Sequence, residues 1–172
     1  MYYLRKLSKY STLDLIDSLD DVFDIPSDLL RMEFSTTGNT LSFWRFDSFD
    51  KINDSLKAIL LSCTCIEKSK FIIVDDDLLS RYDIETDSSN PGLTGYLGFE
   101  GLHTDFCNLT YKKIGDVLRM VKDIIHISNY TYQLSRDEVK ELIKAVYIDG
   151  KIDESKIQDH LKKDIVKYNL NA

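Results

Sequence analysis

The stretch Leu29–Phe46, LLRMEFSTTGNTLSFWRF, constrains the fold more than any other part of the chain. Two runs rich in aromatic and branched residues flank Ser35–Thr40, where Gly38 and Asn39 supply the turn chemistry of a β-hairpin. Alternation puts Met32 and Phe34 on one face of the first arm. Leu41 and Phe43 share a face of the second arm, and Trp44 and Phe46 take the other. A hairpin apolar on both faces needs cover on both sides, which predicts a central place in a sheet.

The flanking segments supply that cover. Tyr2–Leu7 reads as a first strand, and Ser11 or Thr12 caps a helix over Leu13–Phe23. After the hairpin, Ser48 or Asp50 opens a helix to about Ser62, whose stripe of Ile52, Leu56, Ile59 and Leu60 sets Cys63 against the core. The apolar strand Phe71–Val74 runs into Asp75, Asp76 and Asp77, with a helical turn around Leu78–Tyr82. Asp83–Gly101 carries Gly92, Gly95, Gly98 and Gly101 at a spacing of three, and reads as an open loop of low local stability. Leu102–Leu109 reads as a last strand with His103, Asp105 and Cys107 on one face, and Thr110 caps a helix to about Ile127. Tyr130–Gln133 reads as a break. Ser135–Glu138 is a capping box, opening a helix that Asp149-Gly150 stops, and Asp153 starts a final helix.

The fold class expected is therefore α+β: a small, mostly antiparallel sheet around a central hairpin, flanked by helices, with a C-terminal helical hairpin. Residues 1–128 form the sheet domain. The hairpin of residues 129–172 is too small to stand alone, so it docks on that domain or on a partner, a second copy included.

Composition narrows the function classes. Among 172 residues, 43% are hydrophobic and 30% charged, values of a globular domain with a sizeable core. The longest apolar runs, such as Ala58–Leu61, are too short to span a bilayer, and the N-terminus has no apolar signal region. The three cysteines form no disulfide framework, and free thiols fit a reducing compartment, so a cytoplasmic location is expected. A net charge of −7 offers no cationic excess for phosphates, which argues against direct nucleic-acid binding. Residues 14–28 instead hold Asp14, Asp17, Asp20, Asp21, Asp24 and Asp28 with no base among them. An acidic field of this kind steers encounter with a basic partner.

One constellation is a candidate for chemistry. Asp75, Asp76 and Asp77 at a strand end would hold a hard cation such as Mg²⁺ if His103 and Asp105 lay on a neighbouring strand, with His103 as base or further ligand. Glu85 and Asp87 lie close by in sequence, and the glycine-rich loop would serve as a lid. Cys63-x-Cys65 with Cys107 lacks the spacing of a zinc site and reads as structural thiols. The segment around Asp149-Gly150 looks like the middle of a calcium loop. In that alignment Ala145, Tyr147 and Lys156 fall where oxygen ligands belong, so it is a helical corner without an ion. The glycine spacing is no phosphate loop, because no Lys-Ser/Thr follows it.

Asn39-Thr40-Leu41-Ser42-Phe43-Trp44-Arg45, with His103-Thr104-Asp105 and Leu109-Thr110, resembles a group of small uncharacterised bacterial proteins. The resemblance implies a bacterial or mobile-element source and carries over no catalytic role.

The leading expectation is a non-enzymatic protein-binding protein without a cofactor. An immunity, antitoxin or inhibitor protein fits, its partner a toxin or nuclease engaged through Asp14, Asp17, Asp20, Asp21 and Asp24 or through Asp75–Asp77. The alternative is a metal-dependent hydrolase or nuclease using Asp75, Asp76, Asp77, His103 and Asp105.

Overall fold

A computed structural model describes residues 1–8, 12–19 and 26–171. Among these residues six strands form one sheet: β1 (Tyr2–Lys6), β2 (Leu41–Phe46), β3 (Ser69–Asp75), β4 (Glu85–Asp87), β5 (His103–Cys107) and β6 (Thr131–Leu134). Their order is β4-β5-β2-β1-β3-β6, and every neighbouring pair is antiparallel. The helices are α1 (Thr12–Asp17), α2 (Ser27–Glu33), α3 (Ile52–Leu60), α4 (Asp76–Arg81), α5 (Tyr111–Ile125), α6 (Arg136–Ile148) and α7 (Asp159–Lys167). The α+β class and the antiparallel sheet are those expected.

Alternation along the strands builds two cores. Tyr3, Leu41, Phe43, Ile72, Val74 and Phe106 face a layer made by α1, α2, α4 and α5. Leu4, Trp44, Phe46, Phe71, Ile73 and Leu134 face α3, α6 and α7. β3 is buried on both faces because it lies between β1 and β6 with a helical layer on each side. Its unbroken apolar run Phe71–Val74 follows from that position.

The central hairpin expected over Leu29–Phe46 does not form. Gly38 and Asn39 do make a turn, with φ of +63° and +60°. The pairing across it ends at a single bridge, Thr37 to Thr40. What stood as the first arm is α2, and the partners of β2 are β1 and β5. Leu29 and Glu33 are both buried at a spacing of four, and Asp28 and Arg31 sit at the helix ends their charges favour.

Four other segments differ from expectation. The helix expected over Leu13–Phe23 ends at Asp17, and residues 20–25 lie outside the described residues. Asp83–Gly101 is no open loop: Thr94 and Tyr96 are fully buried, Thr94 Oγ1 donates to the Ala58 carbonyl at 2.7 Å, and Asp153 N–H donates to the Gly95 carbonyl at 2.9 Å. Gly95 is needed there, since a Cβ would lie 2.5 Å from Ile157 Cγ1. The supposed break Tyr130–Gln133 holds β6, which pairs with β3. Asp153 caps a 3₁₀ turn over Glu154–Lys156 rather than the final helix, which begins at Asp159. Ser135 and Glu138 form both bonds of the capping box, at 3.3 and 2.7 Å. Residues 129–171 thus contribute a strand to the sheet and pack α6 and α7 on its second face. Among the described residues no helix is long and apolar enough to cross a membrane.

Candidate acidic interface

The aspartates at the end of β3 are engaged within the molecule. Asp75 caps α4, its Oδ1 accepting the Leu78 N–H at 2.9 Å, while its Oδ2 accepts from the Tyr130 hydroxyl. Burial, then this bond to Asp75, pushes the Tyr130 phenol well up from its ordinary value. Asp76 receives the Met1 ammonium at 2.8 Å and the Tyr3 hydroxyl at 2.9 Å. The ammonium holds its carboxyl below the usual carboxylate range. Asp77 is exposed in the first turn of α4.

His103 and Asp105 do not join them. They lie on β5, and β2 and β1 intervene before β3, a separation of about 14 Å at about 4.8 Å per strand. The expected sharing of an ion by Asp75, Asp76, Asp77, His103 and Asp105 is overturned by this strand order. No group of three or more His, Cys, Asp or Glu among the described residues is placed to hold a metal. Cys63 likewise belongs to no metal-holding group among the described residues. Its thiol donates to the Ile59 carbonyl at 3.2 Å, and burial pushes it up.

The acidic N-terminal helix is partly spoken for. Asp14 reaches Lys70 Nζ at 3.6 Å, and Asp17 reaches His126 Nε2 at 3.0 Å. Both carboxylates still face water, with side chains 75% and 45% exposed. Asp20, Asp21 and Asp24 lie outside the described residues.

A group of carboxylates without a Lys or Arg partner among the described residues lies at the β4 edge of the sheet. The register sets Glu85 opposite Cys107 and Asp87 opposite Asp105, with Ser42 of β2 opposite Asp105 on the other side. Side chains directly opposite one another point to the same face, so Glu85, Asp87 and Asp105 share one face of the sheet, Asp105 with its side chain only 14% exposed. That surface belongs to the side covered elsewhere by α3, α6 and α7, but no residue of β4 or β5 enters their core. All three residues of β4 are exposed.

The partners of these carboxylates are neutral or weakly basic. Ser42 Oγ donates to Asp105 Oδ1 at 3.0 Å, and His103 Nε2 lies 3.7 Å from the same oxygen. His103 Nδ1 is 3.0 Å from the Asn90 carbonyl, and its ring meets Trp44 edge-on with centroids 5.5 Å apart. Asn108 Nδ2 donates to Glu85, and Ser89 N–H donates to Asp87 at 2.8 Å. Among the described residues none of the three pairs with Lys or Arg. Burial and then the charges of Glu85 and Asp87 push the Cys107 thiol up, the response of an anion-forming group in a negative field.

This arrangement suits cation recognition better than nucleophilic chemistry. The Ser42 hydroxyl gives its proton to Asp105 rather than to His103, so no imidazole is set to activate it. Glu85 and Asp87 were visible in the sequence only as neighbours of the supposed metal cluster. The signal that would have revealed them is the alternation Glu85-Thr86-Asp87, three residues long and set in a stretch whose glycines argue for a loop. No family model, characterised protein or solved structure matches the chain.

Proposed function

We propose that this chain is a non-enzymatic protein that acts by binding a partner with a basic surface, in the manner of an immunity, antitoxin or other inhibitor protein. The observation that supports this reading is the β4–β5 face, where Glu85, Asp87 and Asp105 stand together without Lys or Arg among the described residues. Asp87 opposite Asp105 places like charges across a strand pair, an arrangement that opposes folding. Arrival of cationic side chains relieves that repulsion, so the face gains more from a basic partner than an internally neutralised one does. Along β4 the Cα atoms of Glu85 and Asp87 lie about 6.6 Å apart, and about 5 Å separates β4 from β5. Such a closely spaced array suits Arg and Lys side chains of a groove that otherwise grips phosphates, as in a nuclease or a nucleic-acid-binding toxin. Asp14 and Asp17 add to the long-range field that steers encounter. The reading includes a cytoplasmic location, where Cys63, Cys65 and Cys107 stay reduced.

The test compares the parent protein with the double variant Glu85→Gln/Asp87→Asn for capture of proteins from the native host's lysate, at low and at high ionic strength. The expected result is a basic protein held by the parent at low ionic strength, weakened by salt and lost with the variant. Equal capture by both proteins removes the β4–β5 face from the reading. Failure of the parent to capture any protein above background overturns the binding function itself.

A further inference from the structure

We draw no further inference here: the strongest candidate, the cleft of about 640 Å³ between α2 and the N-terminus of α5 with Arg31 and Tyr111 at its rim, has among the described residues only that helix end and an exposed guanidinium to favour an anion, and nothing in the structure shows what covers it.

Discussion

Replacing Glu33 tests the network that ties the first strand to its helical layer. Glu33 is only 2% exposed, and its carboxylate accepts the Ser8 N–H at 2.9 Å, the Ser8 hydroxyl at 2.7 Å and the Thr12 hydroxyl at 3.0 Å. Its own carbonyl accepts from Arg5 Nη2 at 2.8 Å. Burial lowers the pKa of the Arg5 guanidinium and the Glu33 charge opposes that shift, so the two compensate each other. Arg5 Nε has no partner of its own, which leaves this residue dependent on its other bonds.

Glu33→Ala removes the acceptor of three charge-assisted bonds, each about 1.5–3 kcal/mol, and leaves the half-buried Arg5 cation without its counter-charge. The bonds act as a unit, so their sum overstates the loss; about 4 kcal/mol is expected. For a chain of this size that lowers the melting temperature by about 8–16 °C. Glu33→Gln keeps one oxygen acceptor and should lose about half as much. The control is Glu67→Ala, whose partnership with Lys6 at 2.7 Å is half-exposed and should contribute less than about 1 kcal/mol. Urea denaturation followed by the emission of Trp44, the chain's one tryptophan, reads all three. A loss below about 1 kcal/mol for Glu33→Ala would falsify the buried-network argument.

Other outcomes follow from the same structure. Burial, aided by carboxylate neighbours, pushes Tyr3, Tyr82, Tyr96 and Tyr147 up to about 12. The folded state then keeps protons that the unfolded chain loses above about pH 10, so their contribution is full below about pH 10 and falls as pH rises towards about 12. Spectrophotometric titration of the ten tyrosines should show a late-ionising class, and a single step near the ordinary value would contradict it. At Gly92 a Cβ would lie 2.5 Å from Trp44 Cη2 and 2.7 Å from His103 Cβ. Gly92→Ala should therefore cost about 1–3 kcal/mol and shift the Trp44 emission, and unchanged stability and emission together would show that the contact yields freely. Mg²⁺ or Mn²⁺ should leave the melting temperature unchanged, because Asp75–Asp77 at the end of β3 and the His103–Asp105 pair lie three strands apart. A rise abolished by Asp76→Asn would restore the shared-ion arrangement. Charge reversal at Asp17 should slow association with the captured partner and flatten its salt dependence, and an unaltered rate would confine steering to the β4 edge.

Much of the architecture is legible in local chemistry. The buried stripe of α5, Ile114, Val117, Leu118, Val121 and Ile124, is periodic enough to identify the helix without its surroundings. Ser135 with Glu138, and Gly38 with Asn39, carry backbone requirements that few other residues meet. These features belong to residues a few positions apart, and a chain segment carries them wherever it is placed.

Tertiary structure decided the rest. Leu29–Glu33 has apolar residues compatible with either a strand or a helix, and packing against the first core selects α2. β4 and β6 are too short to show a period, and each exists because a longer strand offers an open edge to it. The candidate site turned on the same long-range choice. Strand order carried His103 and Asp105 away from Asp75–Asp77 and set Asp105 opposite Asp87 instead, because pairing partners depend on the whole sheet and not on neighbours in sequence. Local sequence therefore determined which segments are helix, strand and turn where the pattern is long. The order of the strands determined which carboxylates meet at the sheet edge.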